Sequence, residues 1–303
     1  MNLSILYGFR LAVMEKSLGV YGINVYQEGS GSVTCQFREN NRVHLFSGSK
    51  AFTSLGVGIA EAEGLFSLED KVLGFFNEYK EAAQPGSEQI TIRDLLHMAS
   101  GHKSLGFTSD SGSFERTKDW VSLFFEEPMV HGAGETFFYE NMCTYMLGRV
   151  VGAVTGGTLK SYLVERLFNP LEIYHPVWDT CPKGHTLSAV GLHLKTEEFA
   201  KLGILMLNHG IWNEKQIVDK DYIYRAVNDV IGTSGMSDAE MKNGYGYQFW
   251  KCTPQNVFRA DGKYGQFSIV IPDKRAVVTI TAHNEKNSND ILRAVWEEIL
   301  PLL

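Results

Sequence analysis

Apolar and polar positions change texture twice along this chain. Near the start, GVYGINVYQEG and SVTCQFREN are rich in Val, Tyr, Phe and Thr and are joined by Gly29-Ser30-Gly31, which predicts strands within residues 19–46. Near the end, GYGYQFWKC, NVFRA, QFSIVIP and RAVVTITA follow one another, with Pro272-Asp273-Lys274 as a turn, which predicts an antiparallel meander. Between these ends the apolar period is mostly helical. AFTSLGVGIAEAEG predicts a helix beginning at about Ser47, Ser67-Leu-Glu-Asp70 and Thr91-Ile-Arg-Asp94 read as capping boxes, and Ser100-Gly101 reads as a stop. A last helix is expected over about Asp290 to Leu300, with Ile291, Val295, Trp296 and Ile299 on one face.

The fold class expected from this pattern is α/β (α+β): one antiparallel β-sheet flanked by N- and C-terminal helices, with an inserted all-helical region. Residues 1–66 and 200–303 form the sheet domain, and 67–199 the mainly helical insert. A groove at their junction is the expected place for a small-molecule site.

Composition narrows the partners. Among 303 residues, 44% are hydrophobic and 21% charged, with 28 basic against 35 acidic residues and a net charge of -7. That balance repels phosphate backbones and anionic lipid, so neither nucleic acid nor a membrane is an expected partner. The longest uncharged apolar stretch, Ala51 to Ala60, falls far short of the roughly 20 residues that span a bilayer. The N-terminus has no basic region ahead of its apolar residues and no small-residue cleavage site, so a cytoplasmic location is expected. Four scattered cysteines without a CxxC pair fit reduced thiols, and nine histidines show neither HExxH nor HxH, so no metal or other cofactor is expected.

The chain has no GxSxG elbow, GxGxxG or Walker loop. It does have Ser47-Gly-Ser-Lys50 at the predicted start of a helix. A serine and a lysine three apart share one helix face, and a helix N-terminus supplies positive potential and free N–H groups where an oxyanion would form. SxxK recurs at Ser100-Gly-His-Lys103, which reads as a helix stop. Tyr139-Glu-Asn141 is the sole YxN. KxG occurs three times, but only Lys263-Tyr-Gly265 precedes a strong strand. Taken alone, Ser47 is a helix cap, Tyr139 a half-buried aromatic and Lys263 a turn residue. Phe124-Phe125, Phe137-Phe138 and Trp250 read as core or cleft wall.

In order, Ser47/Lys50, Tyr139/Asn141 and Lys263/Gly265 resemble the three-element signature of the serine β-lactamase and penicillin-binding protein superfamily, in its class C branch with related esterases and peptidases. Longer segments are similar too, among them SGSKAFTSLGVGIAEAEGLFSLEDKV, TIRDLLHMASG, TGGTLKSYLVERLFNPLEI and DGKYGQFSIVIPDKRAVVTITA, so the resemblance covers most of residues 44–283. It implies a β-lactamase/transpeptidase-like fold and an acyl-enzyme mechanism in which a neighbouring base activates a weak nucleophile. Ser47 would be the nucleophile, and Lys50 and Tyr139 would share its proton, the base being either one. Asn141 would position Lys50 and a substrate carbonyl, Lys263 would add positive charge, and the backbone N–H groups of Ser47 and Gln266 would form the oxyanion hole.

One departure stands out. Where β-lactam-hydrolysing relatives carry Thr or Ser in the middle of KxG, this chain has Tyr264, whose bulk weakens the case for β-lactam hydrolysis. The expected activity is therefore hydrolysis of a small-molecule ester or amide. The alternatives are a true β-lactamase or a D-alanyl carboxypeptidase/aminopeptidase and, less favoured, a non-catalytic binder with this fold.

Overall fold

The computed structural model describes residues 1–103 and 119–303; the expected insert's residues 104–118 lie outside them. Strands β1 (Val20–Gln27) and β2 (Gly31–Gln36) form a hairpin, and β3 (Val43–His44) is short. Strands β4 (Val177–Trp178) and β5 (Leu192–Leu194) lie mid-chain, followed by the hairpin β6 (Ile211–Trp212) and β7 (Lys215–Gln216). The C-terminal part supplies β8 (Trp250–Lys251), β9 (Phe258–Gly262), β10 (Gln266–Ile271) and β11 (Ala276–Ala282).

A six-stranded antiparallel sheet runs β2-β1-β11-β10-β9-β8, so both chain ends build one sheet around a β1–β11 seam, Ile23 opposite Ile280 and Val25 opposite Val278. A small sheet, β3-β5-β4, ties the N-terminal segment to the middle of the chain. The turn at Pro272–Lys274 joins β10 to β11, and α9 (below) covers the predicted terminal segment.

Helices α1 (Tyr7–Glu15), α2 (Ser49–Ala62), α3 (Ile92–Leu96), α4 (Trp120–Glu126), α5 (Asn141–Thr155), α6 (Leu159–Leu163), α7 (Thr196–Leu207), α8 (Lys220–Asn228) and α9 (Asn289–Glu298) surround the sheets. Leu6, Phe9 and Val13 from the N-terminal helical segment meet Ile291, Leu292 and Val295 of α9 over one face of the sheet, burying Ile23, Ile269 and Ile280 beneath them. The other face carries α7. It approaches closely because a Cβ at Gly203 would sit 2.6 Å from both Ser268 Oγ and Val277 Cγ1. The polar residues on that face pair with one another, as in Thr196 Oγ1 with Thr281 Oγ1 at 2.7 Å.

The second core joins α2, α5 and α6 to the surrounding turns. From Ser49 to Ala60 every α2 residue is buried, which makes it the central helix. Thr91 and Asp94 cap α3 reciprocally as predicted. Ser67-Leu-Glu-Asp70 behaves differently: Asp70 Oδ2 accepts the Ser67 N–H (2.8 Å), but the motif closes a turn. Extended Lys71 then bridges to Thr91, and a 3-10 turn, Val72–Phe75, puts Val72 and Leu73 into the core. The stop also comes earlier than Ser100-Gly101, since α3 ends at Leu96 and Met98 already has a φ of +57°.

Candidate active site

Ser47 lies in a 3-10 turn, Phe46–Gly48, that runs directly into α2, with Gly48 as N-cap. The preceding Phe46 sits at φ +49°, a conformation an L-residue adopts at a cost, and its N–H donates to His44 Nδ1 at 2.8 Å. Ser49, on the next turn of backbone, donates to the Phe46 carbonyl (2.7 Å) and accepts the Leu192 N–H (3.1 Å). The nucleophile candidate is thus held on a knuckle tied to both the helix and β5.

Lys50, one turn on, is 1% exposed. Its Nζ lies 2.9 Å from Ser47 Oγ, 2.6 Å from Asn141 Oδ1 and 3.0 Å from the Ala189 carbonyl. Burial lowers its pKa from the usual lysine range to about 7, with the charge of Glu140 pulling the other way. Two of the three neighbours are carbonyl oxygens that only accept. In a neutral amine they take the two N–H bonds and leave the lone pair for the Ser47 hydroxyl.

Tyr139 and Asn141 are brought to the same place by the start of α5. Glu140 is its N-cap, accepting the Met142 N–H at 3.3 Å, and Asn141 is its first residue. Burial holds the pKa of the Tyr139 hydroxyl well above the ordinary phenol value, with neighbouring Ser47 pulling the other way, so it stays protonated. Its ring stacks on Trp250 (centroids 5.7 Å, 24° between planes) and meets Tyr245 edge-on. The Lys50 amine stands 5.1 Å from the Tyr139 ring centroid.

The third element is placed differently from its expected position. Lys263-Tyr264-Gly265 forms the loop of the β9–β10 hairpin, with φ +68° at Tyr264 and +97° at Gly265 turning the chain, and Lys263 is exposed on it. The strand end that abuts the turn carrying Ser47 belongs to β9, at Ala260-Asp261-Gly262. A Cβ at Gly262 would lie 2.1 Å from the Leu45 carbonyl oxygen and 3.0 Å from the Gly48 nitrogen, so only glycine permits this approach. Gln266 sits one strand further out, paired in register with Gly262, and its side chain bonds to the Ala282 backbone.

Tyr264 stacks on His283 (4.2 Å, 28°) and meets Phe46 edge-on at 5.2 Å, while Phe46 lies 4.2 Å from His44. A row of rings, His44, Phe46, Tyr264 and His283, thus runs past the residue before Ser47. Sequence reasoning missed the Ala189 carbonyl and Gly262. The latter had a signal, a glycine closing a strand before a turn, which marks close backbone approach.

Comparison with known proteins identifies the family and the fold. A family model described as Beta-lactamase matches residues 14–299. Protein flp of Staphylococcus aureus (strain MW2) is 27% identical over 156 residues, 51% of this chain; the match spans 31% of that relative, under a third of its length. The fold is similar to a putative 6-aminohexanoate-dimer hydrolase from Bacillus anthracis (TM-score 0.80, 18% identity, covering 96% of this chain and 81% of that one). It is also similar to an octameric penicillin-binding protein homologue from Pyrococcus abyssi (TM-score 0.78, 21% identity, 100% and 78%). Among the described residues no helix is long and apolar enough to cross a membrane. With a match running through nearly its whole length, the chain belongs to the Beta-lactamase family.

Proposed function

We propose that the protein is a serine hydrolase that cleaves an ester or small amide through an acyl-enzyme on Ser47. The observation that carries this reading is the Lys50 amine, buried, set between two carbonyl acceptors and the Ser47 hydroxyl, with its pKa lowered to about 7 so that a substantial fraction is neutral at pH 7. Ser47 Oγ attacks the substrate carbonyl as its proton passes to Lys50. Protonated Tyr139, beside Ser47, donates to the leaving alcohol or amine and is re-protonated from Lys50. Water then attacks the acyl carbonyl and loses a proton to Lys50, which passes it to Ser47 Oγ as the acid leaves, restoring the Ser47 hydroxyl and the neutral amine.

Asn141 holds Lys50 in register through its Oδ1. The oxyanion meets the Ser47 N–H and a second backbone donor from the hairpin that Gly262 holds against it, in the stretch from Lys263 to Gln266. The Tyr264 ring beside Phe46 narrows that side of the cleft, which favours slim esters and amides over a bicyclic β-lactam. The same machinery would also serve a β-lactamase or D-alanyl peptidase.

Intact-mass spectrometry after exposure to a fluorophosphonate and, separately, to benzylpenicillin tests the proposal. A phosphonyl adduct on the wild type that is absent from a folded Ser47→Ala variant is expected, together with loss of p-nitrophenyl ester turnover. Full turnover in Ser47→Ala overturns it. Rapid Ser47-dependent consumption of benzylpenicillin would move the substrate class to β-lactams.

A further inference from the structure

Histidines that look scattered in the sequence meet at the small sheet. His44 on β3 stands directly opposite His193 on β5, so the two imidazoles leave the sheet side by side. Asp179, just after β4, joins them from the far side of β5. The three ligand atoms lie within 4.8 Å of one another, with Asp179 Oδ2 3.3 Å from His193 Nε2 and 4.0 Å from His44 Nε2.

The arrangement is built in rather than incidental to mobile side chains. The Asp179 N–H donates to the Gly191 carbonyl and its carbonyl accepts the Leu187 N–H, both at 2.9 Å. A Cβ at Gly191 would meet Asp179 Cβ at 2.9 Å, and Gly191 has φ +89°, so glycine here admits the carboxylate to the histidine pair. All three side chains keep some solvent contact, so a cation could reach them.

We propose that His44, Asp179 and His193 form a site for one divalent cation of the zinc class. Two imidazoles and a carboxylate leave a fourth position for water, the donor set such cations favour. Bonds of about 2.1 Å place tetrahedral donors roughly 3.4 Å apart, so side-chain rotations that close the widest gap by up to about 1.4 Å suffice.

The site is coupled to the nucleophile through one hydrogen bond. His44 Nδ1 accepts the Phe46 N–H, which puts the ring proton on Nε2. Coordination through Nε2 moves that proton to Nδ1, where it opposes the Phe46 N–H and removes the bond holding the residue before Ser47. Occupation therefore slows attack by Ser47. This consequence rests on the hydrolase reading; the binding itself does not.

Equilibrium dialysis against Zn²⁺, run beside fluorophosphonate labelling of Ser47, separates the two. One equivalent of zinc at micromolar concentration is expected, bound at least tenfold more weakly by His193→Ala and by Asp179→Ala. Zinc should slow labelling several-fold in the wild type and leave the labelling of both variants unchanged. No saturable binding, or equal affinity in folded variants, overturns the site. Binding without any change in labelling overturns the coupling. Zinc bound in the expected way by a chain that never labels at Ser47 supports the site and removes the hydrolase reading.

Discussion

Among the described residues, a lysine and an arginine are sealed inside this protein, and they have opposite fates. Lys50 at the head of α2 is ringed by a hydroxyl and two carbonyl oxygens, and burial brings its pKa down to about 7. Arg259 on β9, 0% exposed, donates through Nε to Asp261 Oδ2 at 2.8 Å and stays charged. The chain direction brings them together, since β9 carries Arg259 and Asp261 before reaching Gly262 beside Ser47. What separates a reactive cation from a structural one here is the partner, a neutral acceptor for one and a carboxylate for the other. The side chain matters as well, because a guanidinium cannot shed its proton.

That contrast can be broken most severely at Lys50. Lys50→Arg replaces a group that titrates near neutrality with one that never does, so ester turnover should fall by roughly 10^3-fold. An arginine variant retaining a tenth of wild-type kcat would defeat the proton-acceptor role. Tyr139→Phe keeps the ring stack on Trp250 and loses the hydroxyl, and a smaller loss of about 10^2-fold is expected in kcat.

Removing the carboxylate tests the other cation. Asp261→Asn leaves the buried guanidinium only the more distant Glu240 carboxylate, 4.0 Å away, and should cost about 3 kcal/mol in urea unfolding. The same change should act at a distance, because the charge of Asp261 favours the ammonium form of Lys50. In the wild type kcat/KM should rise with pH to a plateau above about 7, where the neutral amine is present; in Asp261→Asn the midpoint should move to lower pH.

The smallest expected effect is on stability. The folded pKa of Lys50 lies below its unfolded value, so its burial penalty is fully present at and below about pH 7 and vanishes as pH rises towards the ordinary lysine value of 10.5. Lys50→Met should be inactive yet melt roughly 5 °C higher at pH 7, with the gain shrinking in alkaline buffer. An equal gain at all pH values would mean that packing, not charge, is responsible.

Which of these features could be read from the letters depends on how local they are. Ser47 with Lys50, and Tyr139 with Asn141, are each short-range pairs whose spacing fixes their geometry at a helix start, and the apolar runs announced β1, β10, β11 and α9. The KxG element was harder, because a strand and the loop after it share glycines. Only the positive φ of Tyr264 and Gly265, and the contact of Gly262 with Leu45 and Gly48, tell loop from strand. Ser67 to Asp70 carries the letters of a helix cap, yet tertiary pairing of Lys71 with Thr91 took the backbone elsewhere. His44, Asp179 and His193 leave no trace in the sequence, since strand register alone makes them neighbours.

The seam between β1 and β11 has a consequence in time as well as in space. A ribosome delivers β1 long before β11, so the first hairpin must wait, without its β11 neighbour, for strands of high sequence separation. Gly262 arrives in that same late batch, and with it the wall that seats Ser47. A nascent chain carrying the serine, its lysine and its tyrosine therefore still lacks that wall, and the candidate site is complete only once β9 has been made.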